Sequence, residues 1–95
     1  MLNGVISSMV DVHVPKPSYP TVSERDWFKI ARWYVQEGNI LQPGDNIVEI
    51  ECPPGFYDVP TPPQVTSPHR VAKIHLPAGS STHLGELMVS LEPAV

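Results

Sequence analysis

The chain lacks the features that define several large classes of protein. Its single cysteine excludes an internal disulfide and leaves the redox compartment unassigned. No apolar run approaches the ~20 residues that a membrane-spanning helix needs, and residues 1–10 lack the basic start and long apolar centre of a secretory signal. Six Lys and Arg residues against ten Asp and Glu, with no basic cluster, argue against nucleic acid as a partner. We therefore expect a small cytoplasmic or organelle-matrix protein with no membrane contact.

Proline is the residue that the chain has in excess. It accounts for 12 of the 95 residues, whereas ~5% is usual. A proline inside a helix removes a hydrogen bond and clashes with the preceding turn, at a cost of ~3 kcal/mol. The composition therefore nearly excludes a helical bundle, and the length allows one domain with one core. We assign residues 1–8 to an N-terminal extension and residues 9–93 to the domain.

Two segments have the apolar pattern of strands. Residues 9–14 alternate valine with polar residues and end at Pro15, which predicts a half-buried strand. Residues 27–36 fit a helix or a strand almost equally well. As a strand, this segment has two apolar faces, with Phe28, Ile30 and Tyr34 on one and Trp27, Ala31, Trp33 and Val35 on the other.

An internal repeat favours the strand. A displacement of 41 positions superimposes two pairs of glycines and the apolar residues around them: Gly38 on Gly79, and Gly44 on Gly85. Such a two-copy repeat suggests two equivalent halves related by a pseudo-twofold. Residues 71–76 end at Pro77 and cannot form a useful helix, so their counterpart, 30–35, is also predicted to be a strand.

Each copy of the repeat contains a glycine-flanked loop, 38–45 in the first and 79–86 in the second. Glycine supplies the positive φ that tight turns need, and the acidic residue after the second glycine can accept hydrogen bonds from the turn. No helix follows either loop, so neither is a phosphate-binding loop. We interpret these positions as structural turns: Gly38, Gly44, Asp45, Gly79 and Gly85.

The two halves of the repeat resemble a known family. Residues 30–51, with the series Trp, Glu-Gly, Gly-Asp and Glu-Ile-Glu, are similar to the first half of a lipoyl domain of the 2-oxo acid dehydrogenase type, and residues 67–91 to its second half. The resemblance covers about residues 9–93. It implies an all-β fold: a flattened β-barrel or sandwich of two small antiparallel sheets with a quasi-twofold axis.

The residue that carries the chemistry of that family is missing. In lipoyl and biotinyl domains a tight hairpin after the Glu-Ile-Glu strand carries the modified lysine, as Asp-Lys-Ala or Met-Lys-Met. Here the chain continues from Cys52 as Cys-Pro-Pro-Gly-Phe-Tyr-Asp, and Pro54, preceded by Pro53, occupies the lysine position. Proline has no amine to acylate, so we expect no lipoyl or biotinyl cofactor.

The two loops expected near the lysine position differ most from the family. The hairpin region 52–66 and the loop 15–26 are both predicted to be extended and rich in proline. In lipoyl domains these loops lie near each other. Aromatic residues framed by prolines favour contact with a partner protein. The predicted contact surface comprises Tyr19, Phe56 and Tyr57 with Pro17, Pro20, Pro53 and Pro54.

Other polar residues receive ordinary structural interpretations. Cys52 has no basic neighbour to activate it and is predicted to be a half-buried residue at a strand end. The four histidines, His13, His69, His75 and His83, lack metal-ligand spacing and are predicted to lie at the surface.

The prediction is therefore a non-catalytic, unmodified lipoyl/biotinyl-like domain that binds a protein partner or supports an assembly, with no catalytic residue and no metal. Two alternatives stay open. One is a divergent swinging-arm carrier of an acyl- or group-transfer system, with the group on Cys52 or Lys73. The other is a structural subunit of a larger assembly.

Overall fold

A computed structural model describes residues 9–17, 27–53 and 55–94. Within these ranges the chain forms eight strands and no helix, which confirms the predicted all-β class. The strand predicted over 9–14 is present, and the segment starting at residue 27 is a strand rather than a helix. The strands are β1 (Val10–His13), β2 (Phe28–Trp33), β3 (Ile40–Leu41), β4 (Asn46–Cys52), β5 (Gly55–Pro60), β6 (His69–Ile74), β7 (Ser81–Thr82) and β8 (Leu87–Pro93).

The strands form two antiparallel sheets of four. We call them sheet A, in the order β1-β8-β6-β3, and sheet B, in the order β5-β4-β2-β7. In each sheet the two central strands come from one half of the chain and the two edge strands from the other half. The sheets therefore contain the same arrangement of equivalent strands.

The 41-residue offset of the sequence reappears in the strand bounds. β2 and β6, β3 and β7, and β4 and β8 begin and end 41 positions apart, as Phe28 and His69 or Asn46 and Leu87 illustrate. Bulges occur at matching places, between Ile30 and Arg32 in β2 and between the residues 41 positions later in β6. The repeat thus extends to irregularities of the sheets as well as to their strands.

Equivalent hydrogen bonds join the edges of the two sheets. The Thr61 N–H donates to the Asp45 carbonyl, and the Val14 N–H donates to the Glu86 carbonyl, each at 2.9 Å. These bonds make β1 the counterpart of β5, with Val14 corresponding to Thr61.

The two predicted loops contain short strands that the sequence pattern did not indicate. β3 and β7 each consist of two residues and lie inside 38–45 and 79–86. Each begins two residues after a glycine with positive φ, 94° at Gly38 and 90° at Gly79. The turn that this φ permits reverses the chain and places the next residues against β6 or β2. A two-residue strand is too short to produce a recognisable alternation.

The hairpin after β4 is shorter than expected. Cys52 pairs with Gly55, so only Pro53 and Pro54 separate the two strands. The residues after Gly55, predicted to be part of an extended loop, form β5. The single proline of β5 does not prevent this, because Pro60 stands at the last position of an edge strand, where a missing N–H is tolerated.

The core is filled by inward-facing residues of both sheets. Full burial of such a side chain contributes roughly 1.5–3 kcal/mol, and many positions are filled in matching pairs, such as Ile50 with Leu91. The largest side chains in this core are Phe28, Ile30, Leu41, Ile47, Ile50, Met88 and Leu91.

The predicted faces of β2 are correct only up to the bulge. Phe28 and Ile30 are fully buried, but Tyr34, predicted on their face, is exposed. Trp33, predicted on the opposite face, packs against the core, and its indole N–H donates to the Leu76 carbonyl at 2.8 Å. The extra residue at the bulge shifts the alternation by one.

Alanine at Gly38 or at Gly79 is expected to destabilise the protein by about 1–2 kcal/mol, the cost of a left-handed conformation for an L-residue. No heavy atom lies within 4 Å of the added Cβ at either position, so the penalty is conformational and similar in both halves. Gly55→Ala is the control, because that position is open and its φ is not positive. Urea unfolding followed by tryptophan fluorescence measures the three variants, and an equal loss at Gly55 would contradict the assignment.

Candidate functional site

The β4–β5 hairpin forms the end of sheet B at which the family resemblance expects the acceptor lysine. The register runs from Cys52–Gly55 to Glu51–Phe56 and Ile50–Tyr57. Successive side chains of a strand point to opposite faces. Phe56 therefore lies on the outer face of sheet B, and it is 57% exposed.

Tyr57 lies on the opposite face from Phe56. Its ring packs edge-on against the Phe28 ring, with centroids 6.3 Å apart and an interplanar angle of 87°. Its hydroxyl donates to the Pro15 carbonyl at 2.7 Å. The predicted contact surface therefore does not include both aromatics, since Tyr57 is committed to holding the start of the 15–26 segment against the sheet.

Trp27 joins Phe56 on the outer face and was not among the predicted surface residues. It is 54% exposed and precedes β2, in which Phe28 and Ile30 are buried while Lys29 is exposed. The register of Lys29 with Glu51, and of Glu51 with Phe56, places Trp27 at the hairpin end of the same face. The strand alternation of 27–30 carried the signal, but the sequence did not indicate which face is outward.

The remaining predicted surface residues are placed differently. Pro53 is exposed at the hairpin turn, whereas Pro17 is buried. Tyr19, Pro20 and Pro54 lie outside the described residues. We call Trp27, Pro53 and Phe56 the hairpin surface.

Charged residues of both signs follow the hairpin surface along sheet B. Lys29 stands opposite Glu51 in the β2–β4 register. Beyond the bulge, the Arg32 Nε lies 3.4 Å from the carboxylate of its register partner Glu49. The face therefore combines two exposed aromatic side chains with a charge pattern that is close to balanced.

The thiol of Cys52 is inaccessible. Cys52 is fully buried at the end of β4, not half-buried as predicted. Its place opposite Gly55 directs the side chain into the core, on the face that Ile50 also occupies. Covalent chemistry at this sulfur would require local opening of the hairpin.

The histidines have separate partners. The His13 Nδ1 lies 2.9 Å from the Gly85 carbonyl, and the His69 Nδ1 lies 2.9 Å from the Ser67 carbonyl. His83 approaches Glu86 at 3.7 Å. His69 is buried, which corrects its predicted surface position. The described part of the chain contains no group of three or more residues that could hold a metal ion.

Serine, histidine and aspartate side chains meet on the outer face of sheet A. The His75 Nε2 lies 2.9 Å from the Ser90 Oγ, which donates to the Asp11 Oδ1 at 2.8 Å. A carboxylate only accepts, so Ser90 gives its one proton to Asp11, and His75 supplies the hydrogen of the other bond. The imidazole cannot remove the serine proton in this arrangement, which is therefore not a nucleophile–base pair.

At the equivalent place on sheet B, a tyrosine contacts an aspartate directly, with no serine between them. The Tyr34 hydroxyl donates to the Asp58 Oδ1 at 2.7 Å, and the Arg32 guanidinium lies 5.0 Å from the centre of the Tyr34 ring. The hydrogen bond to Asp58, followed by desolvation, raises the pKa of Tyr34, although Arg32 acts in the opposite direction.

No protein-family model matches this chain, and no curated protein matches it either. Across the described ranges, no helix has the length and apolarity that crossing a membrane would require.

Native protein is expected to react with a thiol reagent such as Ellman's reagent only as fast as opening exposes Cys52. In denaturant the single thiol should react at once. Fast, stoichiometric labelling of the folded protein would contradict the burial of this side chain.

Tyr34 is expected to ionise above the ordinary tyrosine value of about 10. The folded state holds the phenol proton of Tyr34 more tightly than the unfolded state does. The stabilisation from the protonated phenol is therefore complete below the ordinary tyrosine pKa, and it is lost as the pH rises through the raised pKa of the folded state. Tyrosinate absorbance measured against pH should show a late-ionising phenol that Tyr34→Phe removes. A late phenol that persists in this variant would assign the shift to another tyrosine.

Proposed function

We propose that this protein is an unmodified lipoyl/biotinyl-like domain that acts as a non-catalytic protein-binding or assembly module. Two antiparallel four-stranded sheets with equivalent strand order support the family likeness, which began with the repeat and the Glu-Ile-Glu strand. The quasi-twofold, flattened barrel of that family is part of the proposal.

The observation that carries the proposal is the composition of the hairpin. Cys52 and Gly55 enclose two prolines at the place where the family carries its lysine. Three lysines occur in the chain, and Lys16, Lys29 and Lys73 all lie elsewhere. A swinging arm needs an amine at the tip of the hairpin, and this chain offers exposed aromatic surface beside it instead.

The hairpin surface has the physical properties of a protein contact. Trp27 and Phe56 are each more than half exposed although both are large aromatic residues, and such residues supply much of the binding energy at interfaces. Phe56 lies in β5 and Trp27 directly precedes β2, and both strands are paired. Little backbone freedom is therefore lost when a partner covers these two side chains. Balanced charges around them add selectivity for orientation.

The alternative carrier has less support. Cys52 is buried. Lys73 is exposed, but it belongs to β6, a central strand of sheet A, and does not lie in a turn. Neither position presents a tethered group that could travel between active sites. We therefore extend the proposal to binding and assembly only.

Intact-mass measurement of the protein from its own host tests the absence of modification. The expected mass is that of the unmodified chain. A lipoyl or biotinyl increment would overturn the proposal, whichever residue carries it.

Affinity capture from the native source tests the binding role. Phe56→Ser and Trp27→Ser should each weaken capture of the same partner by about thirtyfold or more, since truncation of an aromatic hot spot costs ≥ 2 kcal/mol and about 1.4 kcal/mol corresponds to tenfold. Met9→Ser is the matched control, because Met9 directly precedes β1 at the counterpart of Phe56 and is 49% exposed. Retention of the partner by both aromatic variants would exclude the hairpin surface as the contact.

A further inference from the structure

A groove of about 700 Å³ opens between the edges of the two sheets, where β3 of sheet A approaches β5 of sheet B. Its polar lining includes Asn39, Asp45, Asn46 and Asp58, and Tyr34 forms one wall. The carbonyl of Asp45, one of the lining residues, accepts from the Thr61 N–H at 2.9 Å. The groove does not include the hairpin surface.

Backbone groups of both edge strands point toward this groove. The Val71 N–H donates to the Asn39 carbonyl at 2.9 Å, one position before the pair that Ile40 forms with Arg70 in the β3–β6 ladder. Bonded and non-bonded pairs alternate in antiparallel ladders, so Ile40 directs its N–H and C=O away from β6. In the β4–β5 hairpin the pair that flanks the two-residue turn, Cys52–Gly55, is a bonded one. Counting from it, the pair of Asp58 with Glu49 is a non-bonded one, so the N–H and C=O of Asp58 point away from β4.

The side chains of the groove favour a cation. Two carboxylates, Asp45 and Asp58, line it, and Arg32, which lies 5.0 Å from the centre of the Tyr34 ring, is not among the lining residues. Asp58 is held in place by Tyr34 at 2.7 Å and by the Asn46 Nδ2 at 3.4 Å. The Asp45 Oδ2 accepts from the Gln42 N–H at 2.8 Å. Both carboxylates are thus oriented before a ligand arrives.

An apolar side chain completes the lining. Ile40 lies on the edge of the groove and is 46% exposed. An occupant that matches these features has an extended backbone, at least one basic side chain and an apolar residue beside it.

We call the line where β3 and β5 approach each other a seam. The internal repeat provides an equivalent seam, and comparison of the two shows which features belong to the groove alone. At the equivalent seam between β7 and β1, Ser81 replaces Ile40 and Leu87 replaces Asn46. The counterpart of Asp45 is Glu86, and its carboxylate accepts from the Thr82 hydroxyl at 2.6 Å and lies 3.7 Å from His83. The second seam therefore has no exposed apolar residue at the place of Ile40, and the counterpart of Asp45 is engaged by side chains rather than by a backbone N–H.

We propose that the groove between β3 and β5 binds an extended, lysine- or arginine-containing segment of a partner protein. The basic side chain lies between the carboxylates of Asp45 and Asp58, and the segment's backbone pairs with the outward N–H and C=O groups of Ile40 or Asp58. This is strand addition at a sheet edge, with charge selecting the segment. The inference is independent of the hairpin surface.

Binding of a synthetic peptide tests this proposal on the full chain. The probe is acetyl-Val-Lys-Val-Arg-Val-amide, and acetyl-Val-Glu-Val-Asp-Val-amide is its charge-reversed counterpart. In amide NMR spectra, the basic peptide should shift the Ile40 and Asp58 signals and slow their hydrogen exchange. Higher salt should weaken binding, because screening acts over about 10 Å at 0.1 M.

Matched variants distinguish this groove from general attraction to an acidic protein. Asp45→Asn and Asp58→Asn keep an acceptor oxygen, and each should weaken binding by about two- to fivefold, the usual value of an exposed ion pair. Glu86→Gln and Asp11→Asn make the same changes at the equivalent seam and should leave affinity unchanged, as should Phe56→Ser. Unshifted spectra of the variants outside the substituted region establish that the fold is intact.

Several outcomes would overturn the proposal. They are the absence of binding at millimolar basic peptide, equal binding of the acidic peptide, and equal losses at the control positions. Signal shifts confined to the hairpin surface would assign the peptide to that surface instead. Failure of the groove leaves the capture experiment with Trp27 and Phe56 variants unaffected, so the two proposals are separable.

Discussion

Two glycine N–H groups connect the halves of this molecule. Gly38 donates to the Val71 carbonyl and Gly79 to the Ile30 carbonyl, both at 2.8 Å. Each bond begins in a turn of one half and ends on a central strand of the other. Because the short strands β3 and β7 follow these turns, each half supplies the edges of the sheet whose centre the other half forms. Neither half can therefore complete a four-stranded sheet alone, and the shared core depends on both.

The repeat made much of this arrangement predictable. The spacing of the glycines and the proline after residue 76 were sufficient to predict strands where local propensity was ambiguous. The remainder depended on tertiary detail. A bulge after Ile30 exchanged the faces of Trp33 and Tyr34, and a bulge leaves little trace in the order of side chains. β3 and β7 are held by pairing with distant strands rather than by their own residues.

The candidate site was predictable in position but not in membership. Pro53 and Phe56 follow from the place of the hairpin, since the resemblance locates its tip. Tyr57 was predicted on the same surface as Phe56 because both were assigned to an extended loop. They lie instead in β5, and a strand sends neighbours to opposite faces. Trp27 belongs to the same surface through pairing across β4, a relation that only the register reveals.

The two copies of the repeat depart from each other at several positions. Matching positions carry the turns, the bulges and several core pairs, and pairs such as Ile50 with Leu91 and Val48 with Val89 are similar. The seams differ, with Ile40 against Ser81 and Asn46 against Leu87. The β4–β5 hairpin also has no equivalent turn among the described residues, because the corresponding strands, β8 and β1, are the last and the first of the eight. Both proposed surfaces occur where the two copies have diverged, as expected if the shared positions maintain the fold and the others serve particular contacts.

The place of β8 in the sheet order governs when the protein can fold during its synthesis. β8 is the last of the eight strands, yet it lies between β1 and β6 at the centre of sheet A. The contact between Asp11 and Ser90 spans 79 residues, which corresponds to roughly 4–16 s of translation at about 5–20 residues per second. During that interval β1 has no partner strand, and its valines are exposed to other nascent chains. Emergence of residue 93 from the ribosome, rather than the formation of any local element, therefore determines when sheet A can assemble.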